Sequence, residues 1–390
     1  MLKKIAIAKV RAGMFLHSVE GSWLNHSMWK MRFVIEDEET LARVRECGAR
    51  ECWIDTERGL DVEPDPVVAA APKSQPRSMA SELQNATNVL KRSKSAMTSL
   101  FAEARMGNAI NTGECMPLVN DIVESVDNNS DALISLCRLK TADEYTYLHS
   151  VSVCALMVSL GRQLGLDDAA CRDAGMAGLL HDLGKAAMPQ DIINKPGKLT
   201  DEEFTIIKSH PVRGHEMLLE SGVDNERVLD VCRHHHERID GTGYPDKLPA
   251  DQISLIARMS AVCDVYDAIT SDRPYKAGWD PAEAISRMAT WQGHFDPVVL
   301  QTFVKTIGIY PVGSLVRMAS GKLAVVVEQN PKKLTAPKVK IFFSTKSGLP
   351  LEPKLIDLSE AQVNDKIVSR ESHENWNFNY LNDLWATHVA

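Results

Sequence analysis

The sequence predicts a mostly α-helical protein, with a small mixed α/β module at its front and a short β-rich appendage at its back. Three observations predict this architecture. Residues 1–62 hold strand-like segments around one short helical pattern. Residues 79–310 read as helical almost throughout. After Gly308 short apolar runs separated by turns replace the helical pattern.

In the front module, Lys4 to Val10 alternates as a strand does, Met31 to Ile35 supplies a second strand and Glu51 to Asp55 a third. Glu36 to Glu46 reads as a helix: acids crowd its first turn, Leu41 and Val44 share a side, and Gly48 follows as a stop. His17 and His26 have no ligand partners at a useful spacing, so an accessory or regulatory role is expected. Residues 63–78, nearly all of them in the run Asp61 to Arg77 rich in Pro, Ala and charge, read as a linker. The helical domain follows over 79–310, with its motif core at 141–276. Leu90, Met97, Leu100 and Phe101 fall near one face of its first part, and Gly107 to Gly113 break it. The appendage, 311–390, offers Gly313 to Met318, Leu323 to Glu328 and Val339 to Phe343 as strands. Asn375 to Ala390, with Trp376, Tyr380, Leu381, Leu384 and Trp385, is too apolar for a free tail and is expected to dock on the body or on a partner.

Composition excludes several classes. Hydrophobic residues at 44% and charged residues at 25% fit a globular protein with a large core. A net charge of -8 argues against binding a nucleic-acid polymer, which needs clustered Lys and Arg. The eight cysteines are scattered, without a CxxC pair, as expected of reduced thiols in a cytoplasmic protein. Neither a signal peptide nor a membrane span is expected.

The chemistry is expected at Leu179-Leu180-His181-Asp182-Leu183-Gly184-Lys185, inside an apolar run from Met176 to Met188 that reads as one buried helix. Burying His181 beside Asp182 is costly unless something satisfies both, and a metal ion does. Lys185, four residues after His181, would project from the same helix face, where a phosphate could bind. Seven of the twelve histidines fall between His149 and His236. His149, His181, Asp182, His210, His235, His236 and Asp264 make seven donors, too many for one tetrahedral ion with an open position and about right for two ions bridged by Asp182. If helical, His235 and His236 diverge by about 100°. Asp267, one turn after Asp264, is read as a cap or a partner of Arg273; His215 and His234 as peripheral; His294 as a turn residue. Directly after the histidine pair, Gly241-Thr242-Gly243-Tyr244-Pro245 offers close backbone approach, an aromatic face and a stiff exit. Gly243, Tyr244 and Pro245 are therefore candidates for a pocket wall or a partner surface.

The pair His181-Asp182 with Gly184-Lys185, followed by HHERIDGTGYP from His235 to Pro245, resembles the HD-GYP family of bacterial phosphodiesterases, within the metal-dependent HD phosphohydrolases. The likeness extends through Tyr145 to Ser150, Ser209-His210-Pro211 and Asp264 to Lys276, and covers roughly residues 100–310. It implies hydrolysis of cyclic di-GMP to linear pGpG or on to GMP, with Asp182 and Lys185 as the catalytic pair. The seven donors would be ligands of two divalent ions, iron first and manganese second. Lys185, Arg273 and Lys276 would hold substrate phosphates. Family members with three metals carry a carboxylate one turn before the first histidine; here that position is Tyr145, although Asp143 and Glu144 are close, so two ions are expected. Alternative readings are a phosphodiesterase for 3′,3′-cyclic GMP–AMP, a nucleotide sensor recruiting diguanylate cyclases through the GTGYP surface, and an HD phosphohydrolase acting on mononucleotides. A homodimer is a further candidate partner.

Overall fold

The structure, a computed structural model, describes residues 2–7, 10–20, 32–45, 51–61, 78–139, 145–195, 197–271, 278–372, 375–376, 378 and 380–386. Two compact units divide the chain, Met1–Ser74 and Gln75–Ala390.

The first unit contains β1 (Leu2–Ala6), β2 (Phe15–Glu20), β3 (Phe33–Val34), α1 (Glu38–Arg45) and β4 (Glu51–Asp55). The antiparallel sheet has the order β1-β4-β2-β3. Leu41 and Val44 of α1 enter one apolar cluster with Met14, Leu16, Ile35, Cys52 and Ile54. The first strand lies earlier than expected, because the chain turns at Ile7, whose carbonyl accepts from the Val10 N–H. β2 was not foreseen: its pairing with β4 shifts register between Leu16 and Ser18, and such a bulge breaks the alternation that marks a strand. His26 lies outside the described residues.

The second unit opens with α2 (Met79–Arg105) and α3 (Thr112–Cys137), capped by Ser78 and Asn111 and separated at Gly107, whose φ of +77° suits glycine. Next come α4 (Tyr145–Gln163) and α5 (Asp168–Leu180), a 3-10 helix (Leu183–Ala187), α6 (Gln190–Ile193), α7 (Asp201–Ile207), α8 (His210–Glu220) and α9 (Glu226–His234). The helical part closes with α10 (Leu255–Thr270), α11 (Pro281–Met288) and α12 (Pro297–Ile307). α4 is apolar on all sides, as a central helix must be, and its Val151, Cys154, Met157 and Val158 are fully buried. α5 approaches it closely at Gly178, where a Cβ would stand 3.0 Å from the Val153 carbonyl oxygen. That approach delivers the end of α5, and with it His181, against α4.

Gly308 stops α12 with a φ of +85°. A five-stranded antiparallel sheet follows: β5 (Leu315–Met318), β6 (Lys322–Glu328), β7 (Lys338–Ser344), β8 (Leu349–Asp357) and β9 (Ile367–Arg370), in the order β8-β7-β6-β5-β9. β8 and β9 are the two edges, and neither was foreseen. β8 carries Pro350 and Pro353, which disguise a strand yet are tolerated at an edge. α13 (Leu381–Trp385) buries Leu381, Leu384 and Trp385 in the same core cluster as Leu315, Leu323 and Phe342, so this segment docks on the body of its own chain. Among the described residues no helix is long and apolar enough to cross a membrane.

Tyr266 of α10 and Phe303 of α12 meet edge to face, with ring centroids 5.0 Å apart and both side chains fully buried. Replacing Phe303 with Ala should cost about 3–5 kcal/mol of stability. Urea unfolding followed by circular dichroism should therefore show a clearly lowered midpoint for Phe303→Ala.

Candidate metal centre

Six of the seven expected donors lie at or near helix ends, and the fold gathers those ends at one place. His149 stands in the second turn of α4, His181 caps the C-terminus of α5, and Asp182 precedes the 3-10 helix. His210 opens α8, His235 caps the C-terminus of α9, and His236 follows in the turn. Only Asp264 comes from mid-helix, on α10. The run Met176 to Met188 is thus not one helix: α5 ends at Leu180, and the chain turns through His181-Asp182 before the 3-10 helix begins. Lys185 reaches the site by that turn and donates from Nζ to Asp182 Oδ2. His235 and His236 do not diverge as in a helix; their ring centroids are 4.1 Å apart because α9 has already ended.

Asp182 divides the donors into two groups. Its Oδ2 lies 3.5 Å from His149 Nε2 and 3.4 Å from His181 Nε2. Its Oδ1 lies 3.2 Å from His210 Nε2 and 3.8 Å from His235 Nε2. Asp264 spans both sides, with Oδ1 3.1 Å from His149 Nε2 and Oδ2 3.7 Å from His236 Nδ1. Two triads can each surround an ion: His149, His181 and Asp182, and His210, His235 and His236.

The outer nitrogens decide what the inner ones offer. Nδ1–H of His181 donates to the Gly178 carbonyl at 2.7 Å, that of His210 to Ile207 at 2.7 Å, and that of His235 to Val231 at 3.0 Å. His149 Nδ1–H donates to Asp267 Oδ2 at 2.7 Å, and Ser152 Oγ donates to Asp267 Oδ1. At His181, His210 and His235 the Nε2 is therefore left with a lone pair aimed inward, whereas at His149 burial is outweighed by hydrogen bonds to Asp264 and Asp267, which raise the imidazole. His210 Nε2 and His235 Nε2 face each other at 3.2 Å, an arrangement that repels unless a cation stands between them. His181 Nε2 and Asp182 Oδ1 are buried without a hydrogen-bond partner. Buried polar atoms in that state are costly, and a divalent ion relieves all of them together. The donor set fits divalent metal.

Protonation favours the same outcome. Burial, reinforced by His236, His181 and His210, holds the His235 imidazole well below its usual range, so it stays neutral. Burial likewise pushes His236 down to about 3. Burial alone would raise Asp182, but Lys185, His181 and His210 outweigh it and keep the carboxyl well below its usual range. Asp264 is lowered as well, its burial outweighed first by the His149 hydrogen bond. Neutral imidazoles and ionised carboxylates are the forms that bind metal.

Beside the donors, the GTGYP turn forms a wall. A Cβ on Gly243 would lie 2.5 Å from Arg238 N and from Glu237 Cα, so the backbone passes too close for any side chain. The Tyr244 ring packs on His236 with centroids 4.6 Å apart, and burial pushes its phenol up, keeping it neutral. The turn is tied down by Glu237, which is 2% exposed and accepts the backbone N–H groups of Asp246 at 2.7 Å, Lys247 at 2.9 Å and Leu248 at 3.1 Å. Gly184 and Gly214 make a second close contact: a Cβ on Gly184 would fall 1.9 Å from the His210 carbonyl oxygen and 2.6 Å from Gly214 N.

Sequence reasoning missed Asp267 as the orienting partner of His149, and Glu237 altogether; an ionisable residue directly after two donor histidines was the available signal for the latter. His234 is peripheral, bridging Asp230 and Asp246, and His294 lies in a turn, stacked on Trp291 and Phe295. Asp143, Glu144, Arg273 and Lys276 lie outside the described residues.

Comparison with known proteins agrees with this geometry. Residues 117–299 match the HD domain, and residues 2–115 match a domain of unknown function (DUF3391). The chain is 52% identical over 397 residues to a cyclic di-GMP phosphodiesterase of Pseudomonas aeruginosa, covering 99% of this chain and 96% of that protein. It is 42% identical over 173 residues to the cyclic di-GMP phosphodiesterase response regulator RpfG of Xanthomonas campestris, covering 42% of this chain and 45% of that protein. A 3'3'-cGAMP-specific phosphodiesterase of Vibrio cholerae is 34% identical over 178 residues, 45% of this chain and 41% of that protein. The HD-domain match and the buried cluster of His and Asp define a divalent-metal-binding phosphohydrolase fold. Within that class, the chain belongs to the HD-GYP family.

Two substitutions test the packing around the donors. Gly184→Ala should displace His210 and sharply reduce bound metal, measured by elemental analysis of the purified protein. Asp267→Asn, which weakens the hold on His149 Nδ1–H, should lower metal affinity by about 10–100-fold while the protein stays folded.

Proposed function

We propose that this protein is a metal-dependent phosphodiesterase that hydrolyses cyclic di-GMP, opening the ring to linear pGpG. The observation that carries the proposal is the division of the buried donors by Asp182, one triad on each carboxylate oxygen. That arrangement supports two ions, with iron first and manganese second given ligands of imidazole and carboxylate. Two ions in such a site would polarise the phosphodiester and lower the pKa of attacking water toward about 7.

The chain's own residues do the rest. Asp182 and Asp264 hold negative charge between the imidazoles. Asp267 and the carbonyls of Gly178, Ile207 and Val231 keep each Nε2 turned inward. Lys185, partly exposed and paired with Asp182, presents an ammonium group for a phosphate oxygen and a proton for the departing ribose oxygen. Arg273 and Lys276 are proposed to hold substrate phosphates. Gly243, Tyr244 and Pro245 wall the pocket and exclude water from one side.

The preference for cyclic di-GMP over 3′,3′-cyclic GMP–AMP rests on the relative that matches nearly the full length. A role confined to recruiting a diguanylate cyclase has less support, because Gly243 is buried and Tyr244 packs on His236. The described cysteines, seven of the eight, are all buried, as suits a reducing, cytoplasmic setting.

Protein purified without oxygen and loaded with Fe(II) or Mn(II) should convert cyclic di-GMP to a linear product resolved by chromatography. Chelation should stop turnover. Asp182→Ala should lose metal and activity together, whereas Lys185→Ala should keep its metal and turn over about 10²–10³-fold more slowly. Turnover at the wild-type rate by Asp182→Ala would overturn the assignment.

A further inference from the structure

The rim of the site carries a cation that the chemistry above does not use. Lys208 follows α7 directly, two residues before His210, and its side chain is exposed. Its ammonium lies 4.6 Å from the ring centroid of Phe204 and 5.4 Å from that of Tyr244. The first contact is what helical i,i+4 spacing provides anywhere. The second is not local, because Tyr244 comes from the GTGYP turn, where it packs on His236. Among the described residues no carboxylate stands within ion-pair distance of Lys208. Phe204 is 45% exposed, a large aromatic ring largely in water beside the Lys208 ammonium.

We propose that Phe204, Lys208 and Tyr244 form a guanine subsite at the mouth of the metal centre, taking a base of the cyclic dinucleotide. This rests on the phosphodiesterase reading. Aromatic faces stack unpaired bases with little regard to identity, so Phe204 and Tyr244 alone would accept any purine. The ammonium makes the difference. Guanine presents N7 and O6 as two acceptors on one edge, whereas adenine places its N6 amino donor where O6 would stand. An ammonium only donates, so it matches guanine and opposes adenine. Lys208 then sets the preference for cyclic di-GMP over 3′,3′-cyclic di-AMP, and orients 3′,3′-cyclic GMP–AMP with its guanine at the rim. An ammonium in the open would also meet a phosphate; the two flanking aromatic faces favour a base.

The test compares wild type with Lys208→Met, which keeps the apolar stem and removes the charge. Metal content and hydrolysis of bis(p-nitrophenyl) phosphate should be unchanged. The ratio of kcat/KM for cyclic di-GMP over cyclic di-AMP should fall about tenfold or more, chiefly through KM for cyclic di-GMP. Lys208→Arg should retain most of the preference, and Phe204→Ala should weaken both dinucleotides alike. An unchanged ratio overturns the guanine assignment, and so does an equal loss on both dinucleotides in Lys208→Met, which would mark a phosphate contact. If metal-loaded wild type binds the dinucleotides but cuts neither, the phosphodiesterase reading fails, and the subsite is judged by equilibrium binding, where Lys208→Met must lose the same preference. Binding of neither dinucleotide overturns both.

Discussion

One buried carboxylate organises this site. Asp182 is 1% exposed and has an imidazole nitrogen within 4 Å on each oxygen. An ionised carboxyl there would be intolerable without compensating charge. The ammonium of Lys185 supplies part of it, and the inward Nε2 atoms of His181, His210 and His235, each with its proton committed on the other side of the ring, call for the rest to be metal. The surrounding helices follow from that demand. Five segments end where they do because the donors must converge, and two of the donors, His181 and His235, sit at helix C-termini, where the backbone dipole favours positive charge.

Much of this centre was legible because burying polar residues leaves a mark on sequence. His181-Asp182 and Asp264 stand in runs otherwise apolar, and a polar residue in such a place asks for a partner. What was not legible is where helices stop. Met176 to Met188 is compatible with one helix at every position, and only the tertiary demand for His181 and Asp182 to face α4, α8 and α9 turns the chain at Leu180. Orienting residues were hidden for another reason. Asp267 and His149 are 118 residues apart, and no local pattern announces the pairing. In the sheets, the helix-poor character of the region after Gly308 was plain, but β8 hid behind its prolines and β2 behind its bulge.

Backbone contacts matter here as much as side chains. Gly178 lets α5 lie against α4, Gly184 against Gly214 sets the height of His210, and Gly243 lets the GTGYP turn fold onto the histidine pair. These glycines serve geometry rather than flexibility: none of the four has a positive φ. They act as spacers of zero thickness between parts that carry donors.

The Glu237 carboxylate gathers three consecutive backbone N–H groups, so the shape of the stretch from Asp246 to Leu248 is written in main-chain hydrogen bonds. Apart from Asp246, whose carboxylate also holds Arg233 and His234, side chains along that stretch are thereby released from holding the loop. Evolution can redraw the loop's outer face, in charge or in bulk, without disturbing the inner wall that Tyr244 presents. One acid thus separates the part of the loop that must stay constant for chemistry from the part that is free to acquire new neighbours.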